Sequence, residues 1–277
     1  MFFQTNPVYL RAAFLALFLA TSLGVSPSQA EIKIGGTGGD LGTWKKIAQA
    51  YKATHPETDI TVLNSLGSGG GIKALAAGAI DLAISSRPLK AEEAAAGFKA
   101  NAYGVTALAL SSANDVYLEK LTIADVVEIY QRGTRRWPNG NPILVVMRPL
   151  HDTDITLVVE AFPEMGPAFD AAVSRGARIG ASDQDAADAL EETPTAVGFL
   201  SLSLILAEDR NINTFALNGV APTTENLANG SYPISKRYYL VTPKVVPDET
   251  TALVDFLYSA QGQEILRDNG HLPIGRE

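Results

Sequence analysis

Three short turns rich in glycine or serine, and one arginine at the end of an apolar run, carry the residue types that suit anion capture. Gly36-Thr37-Gly38-Gly39 lets backbone N–H groups approach a ligand without Cβ interference, and the helix start behind it adds a partial positive charge. It matches neither a dinucleotide fingerprint nor a phosphate loop with a lysine, so a plain strand-to-helix turn is an equal reading. Gly67-Ser68-Gly69-Gly70-Gly71 repeats the arrangement, and the Ser68 hydroxyl could cap the helix or be donated to an anion. Ser85-Ser86-Arg87 adds two hydroxyls and a guanidinium, which either meets a ligand or bridges two lobes. Arg148 closes the strand Ile143 to Met147, and a planar fork there suits an oxyanion.

His151-Asp152-Thr153-Asp154 follows Arg148 at an expected helix start, where either aspartate could be the N-cap or could line a ligand site. Two other chemistries use the same residues. A metal could be held by His151, Asp152 and Asp154, whose types are suitable but whose spacing is only local. A hydrolase could be built from Ser68, His151 and Asp152, although an adjacent His-Asp pair orients poorly as a triad.

The elements that must position these turns read as strand, turn and helix in repetition. Ile32 to Ile34, Asp59 to Leu63 and Ile80 to Ile84 are strands, and each runs into one of the turns above. That is the pattern of an α/β chain with a mostly parallel sheet, in which ligands sit beyond the carboxyl ends of strands. Val105 to Leu110 predicts a buried strand, Leu121 to Tyr130 a helix, and Trp137-Pro138-Asn139-Gly140 a turn. Helices are expected over 155–162 and 183–191, and strands over 196–200 and 235–241. Two helical stretches broken near Gly262 are expected over 249–268. The extended runs near 105–110 and 235–241 would carry the chain twice between two lobes. Trp44, Tyr51, Tyr130 and Phe256 have core spacing, and one ring of Tyr238-Tyr239 would face the hinge.

Composition sets the bounds. The chain is 46% hydrophobic and 19% charged, which supports one or two globular cores and excludes a disordered chain. The net charge of -8, with no basic block, argues against nucleic acid or an anionic membrane as partner. Cysteine is absent, so disulfides, thiolate zinc sites, iron–sulfur clusters and a lipid-modified N-terminal cysteine are excluded. Residues 1–30 read as a signal peptide: Arg11, an apolar stretch from Ala12 to Val25, then Ser28 and Ala30 at peptidase spacing. Cleavage after Ala30 would leave a mature chain of net charge -9, since the leader carries Arg11 and no acid.

Taken together, GGTGGDLG, GSGGGIKALAAGAIDLAISSRPLK, NDVYLEKLTIADVVEIYQRG, VVMRP and the tail around Gly230-Ser231-Tyr232-Pro233-Ile234 resemble the phosphate-binding proteins of ABC transporters. The resemblance spans nearly all of Glu31 to Pro273. It implies a two-lobed periplasmic binding fold of type II, with 31–108 and 238–277 as one lobe and 109–237 as the other. It implies no catalysis and no cofactor, a phosphate-like oxyanion in the cleft, an ABC permease or a membrane sensor as partner, a periplasmic location and a monomer. The family's oxyanion contacts fall on Gly38, Gly39, Ser68, Ser86 and Arg148. With their neighbours, the expected ligand set is Thr37, Gly38, Gly39, Ser68, Gly69, Ser86, Arg87, Arg148, Asp152, Thr153 and Asp154. The sequence departs from the family twice: Ser86 replaces an acid that accepts the ligand proton, and His151-Asp152-Thr153-Asp154 replaces Gly-Ser-Gly-Thr. One aspartate is therefore expected to cap the helix while the other faces the cleft as proton acceptor. The alternative is a degenerate member that serves as a sensory or protein-interaction module.

Overall fold

The computed structural model describes Met1 and residues 31–113 and 121–276. The expected signal peptide and the stretch 114–120 lie outside the described residues. The first half of the chain runs β1 (Glu31–Gly36), a 3-10 turn (Gly38–Asp40), α1 (Leu41–Thr54), β2 (Asp59–Val62), α2 (Gly67–Ala76), β3 (Leu82–Ser85), α3 (Ala91–Ala95) and the long β4 (Lys99–Ser112). There follow α4 (Ile123–Arg132), β5 (Leu144–Met147), α5 (Thr153–Ala161), α6 (Met165–Ser174), β6 (Arg178–Ile179), α7 (Asp183–Glu192) and β7 (Ala196–Ser201). The chain ends with α8 (Leu202–Ala207), β8 (Asn213–Thr214), α9 (Thr224–Ala228), β9 (Ser235–Thr242), α10 (Asp248–Leu257), α11 (Ala260–Asp268) and β10 (His271–Pro273).

The strands form one path in the order β2-β1-β3-β9-β4-β7-β5-β6, with β8 and β10 also paired to β4. The outer strands are parallel, β1 with β2 and β3, and β5 with β6 and β7. The inner strands β9 and β4 run antiparallel to each other and to β3 and β7. Parallelism belongs to the strand-helix-strand units at each end, where a crossover helix returns the chain. β4 and β9 carry it between the ends without such a helix.

Two large apolar cores lie on either side of this crossing. One gathers Ile34, Trp44, Leu82, Tyr103, Tyr238 and Leu253; the other gathers Leu108, Tyr130, Val158, Phe169, Phe199 and Ile234. The molecule is the two-lobed α/β architecture expected. Trp44, Tyr51 and Tyr130 are buried in these cores, and Phe256 packs against Tyr51.

Several boundaries differ from the pattern reading, each for a local reason. α4 begins at Ile123, because Thr122 caps it and Asp125 reaches back to the Thr122 amide. The break between the last helices is at Tyr258-Ser259, where Ser259 caps α11. Gly262 lies inside α11 and does not break it; glycine suits the position because a Cβ there would stand 2.2 Å from the Phe256 carbonyl oxygen. α6 was not expected, although Met165, Ala168, Phe169 and Ala172 lie at helical spacing and all are buried; Gly166-Pro167 disguises it as a turn, yet proline is tolerated in a first helical turn.

Candidate functional site

The first-lobe wall is built from the three expected turns. β1 ends at Gly36 with φ +145°, and a Cβ there would meet the Ile84 carbonyl oxygen at 2.0 Å. Gly71 of α2 presses on the Cα of Gly36, where a Cβ would come within 2.7 Å. Gly36 therefore serves close packing of β1 on β3 and Gly71 that of α2 on β1, which brings the three turns together. Ser68 does not cap α2; its Oγ accepts from the Ser86 amide at 2.9 Å and lies 3.0 Å from the Ser86 hydroxyl. Arg87 does not bridge the two lobes. It donates two hydrogen bonds to Glu93 of its own lobe, at 2.7 and 2.8 Å, and these hold the Glu93 carboxyl down at about 2.

The second-lobe wall begins where β5 ends. The Arg148 head is buried at 5% exposure and donates to the Gly180 carbonyl at 2.7 Å and to Asp152 at 2.9 Å. Asp183, the first residue of α7, lies 3.6 Å from the same guanidinium. Among the described residues the Arg148 Nε has no partner. Asp152 also caps α5, since its other oxygen accepts from the Asp154 amide at 2.9 Å.

Asp154 is not at the cleft surface. It is 1% exposed and lies 2.6 Å from the Lys236 ammonium, which is equally buried and also 3.2 Å from Asp183. Burial, with Asp183 and Asp152 nearby, pushes the Asp154 carboxyl up to about 7 against the pull of Lys236. Burial opposes charge on Asp183 too, yet Lys236 and Arg148 hold its carboxyl below the usual range. Lys236 loses by burial but is held well above the usual range by Asp154 and Asp183. Two cations face three carboxylates, a net charge of -1 when all are ionised.

This corrects the expected division of labour: Asp152 both caps the helix and faces the cleft, while Asp154 lies beneath it. Gly38 and Gly39 are likewise covered instead of lining the cleft. Gln184 of α7 donates to the Gly38 carbonyl at 2.9 Å, and Ser203 donates to the Gly39 carbonyl at 2.8 Å. Tyr238 is the ring that faces the crossing, its hydroxyl donating to Ser201 at 3.1 Å. The remaining expected residues, Thr37, Ser68, Gly69, Ser86, Arg87, Arg148, Asp152 and Thr153, all line one cavity of about 1060 Å³. Asp183 and Gln184 line it as well, and the exposed Lys45, Lys73 and Lys90 stand at its edge. Cations on a cleft raise the local concentration of anions.

Among the described residues no group of three or more histidines and carboxylates is placed to hold a metal. The aspartates that a metal would need are taken by Arg148 and Lys236. The Ser68 hydroxyl meets Ser86, so a nucleophile activated by His151 is not formed. The interior trio of Lys236, Asp183 and Gln184 was missed from sequence. A signal existed for one of them: alternation along β9 puts Lys236 on the same inward face as Tyr238 and Leu240.

The model of the PBP superfamily domain matches residues 21–261, and the chain belongs to that superfamily of binding proteins. It is 24% identical over 238 residues to the phosphate-binding protein PstS of Borreliella burgdorferi, covering 81% of this chain and 83% of that one. It is 25% identical to PstS of Bacillus subtilis, over 82% of this chain and 75% of that protein. Among solved structures, a candidate phosphate ABC transporter substrate-binding protein with bound phosphate, from Clostridium perfringens, superposes with a TM-score of 0.73 at 23% identity, over 88% of this chain and all of that one. The molybdate-binding protein of Azotobacter vinelandii shares the fold with a TM-score of 0.60 at 13% identity, over 87% and 98% of the two chains. These relatives are named for the anions they bind, and by its superfamily this chain falls among binding proteins rather than enzymes.

Proposed function

We propose that this protein captures a small oxyanion, phosphate before molybdate, in the cleft between its lobes and delivers it to an ABC-type permease. The observation that carries the reading is Arg148: a buried guanidinium at the cleft wall, one N–H without a partner among the described residues, sharing its cavity with the Ser68 and Ser86 hydroxyls. The names of the curated relatives support phosphate. On this reading the lobes are residues 31–108 with 238–277, and 109–237. The leader is removed after Ala30 and the mature monomer works in the periplasm. No helix among the described residues is long and apolar enough to cross a membrane.

A second reading is favoured by the three carboxylates around Arg148 and Lys236. They leave less free positive charge than a dianion site needs, which suits a sensory module with a different ligand. Calorimetric titration separates the two. Mature protein unfolded and refolded to strip ligand is titrated with phosphate, molybdate and sulfate. Dissociation constants of about 1 μM or tighter for phosphate are expected, equal to roughly -8 kcal/mol. No heat with any of the three anions would move the assignment to the sensory module.

A further inference from the structure

We infer that anion binding in this cleft is coupled to proton uptake by the buried Asp154–Lys236–Asp183 cluster, so that Asp154 is a positioning residue that adjusts the charge beneath the ligand. The inference rests on the oxyanion reading above and adds to it a proton stoichiometry and a residue to carry it.

The geometry makes the case. Asp154 and Lys236 are each 1% exposed and 2.6 Å apart, and neither lines the cleft. Asp183 lines the cleft and touches both cations, at 3.2 Å from Lys236 and 3.6 Å from Arg148. A charge placed at Arg148 is therefore felt by Asp154 through a short, buried chain of groups where water screens little. The groups that face Asp154 are Lys236 from β9, Asp183 from α7, Asp152 from its own helix, and Arg148 from β5 through the last two. From α6, packed on the other side of α5, come the apolar Met165, Ala168 and Phe169.

With every group ionised this cluster holds one more negative charge than positive, and a dianion makes the excess larger. The cheapest relief is one proton on the carboxylate with no water to solvate it, Asp154. Its raised ionisation, near neutrality, puts that proton within reach at ordinary pH. Asp183 stays ionised between its two cations. Reciprocity then requires that the anion bind more tightly as pH falls.

The test is calorimetry in buffers of differing ionisation enthalpy, with phosphate and with molybdate, on the wild type and on Asp154→Asn. Phosphate has an ionisation of its own near neutral pH, and comparison with the variant cancels it. The wild type should take up as much as about half a proton more per anion than Asp154→Asn at about pH 7, rising toward one proton at about pH 8, and its affinity should fall by up to about tenfold per pH unit above about pH 7. Equal proton counts in the two proteins would overturn the coupling and leave the oxyanion reading standing. Absence of binding by wild type to either anion would overturn both. Should Asp154→Asn fail to fold, carboxyl ¹³C titration of the wild type reads the same proton. A carboxyl that titrates near neutrality and moves upward with phosphate supports the coupling, and no carboxyl titrating above about pH 5.5 overturns it.

Discussion

Lys236→Met should lower the melting temperature by roughly 6–20 °C, the result of losing about 3–5 kcal/mol when one partner of a buried ion pair is removed from a chain of this size. Lys236 sits opposite Thr106 where β9 crosses β4, 1% exposed, and it is the nearest cation to both Asp154 and Asp183. Methionine fills nearly the same space, so packing changes little and the loss is electrostatic. The sign with pH follows from the carboxyls left behind. Without the ammonium, burial raises both folded-state ionisations above their unfolded values, as it already does for Asp154. A group raised in this way gives stability below its unfolded value that is lost as pH rises through the folded one. Thermal melts should therefore show the smallest gap between variant and wild type near about pH 5 and the largest near about pH 8. A gap that stays constant over that range would mean that the ammonium acts only by filling space.

Arg148→Ala should weaken phosphate binding by more than about 100-fold while leaving the fold intact. At about 5 Å and an effective dielectric near 20, a guanidinium contributes about 3 kcal/mol for each unit of ligand charge, and about 2.7 kcal/mol is already a factor of 100. The loss is compounded by what remains. Asp152, Asp154 and Asp183 would face Lys236 alone, so the ligand would meet a wall with two excess negative charges instead of one. The conservative variant Arg148→Lys keeps the charge but not the fork, and its affinity should fall between those of the wild type and Arg148→Ala. Calorimetry gives the affinities and circular dichroism confirms the fold. Unchanged affinity in Arg148→Ala would place the anion elsewhere.

What was legible in the sequence followed from local rules. Glycine-rich turns after short apolar strands located the first-lobe wall, and an arginine at the end of Ile143 to Met147 located the second. Of the two crossing strands, Val105 to Leu110 was legible as an apolar run with no polar alternation, and Ser235 to Val241 only as a strand-like stretch. What stayed hidden depends on distant pairs. Nothing near Lys236 in the sequence announces Asp154 or Asp183, which lie 82 and 53 residues away and meet it only when α5 and α7 start at the same place. For the same reason Asp154 looked like a cleft residue: its type suits a cap or a ligand contact, and only the packing of α5 against β9 turns it inward. Glycines misled in the other direction, since Gly36 and Gly71 are required by contact between backbone atoms, with no ligand involved.

The strands that join the lobes are hydrogen-bonded to each other from Lys99 opposite Thr242 to Ala107 opposite Ser235. A joint made this way is a leaf spring, not a pin. It flexes and twists along one soft direction, and every other displacement would break rungs of the ladder. The lobes are also latched where Gln184 grips the Gly38 carbonyl and Ser203 the Gly39 carbonyl. Opening the cleft must release both hydrogen bonds and bend the ribbon, so each of these features opposes separation of the lobes.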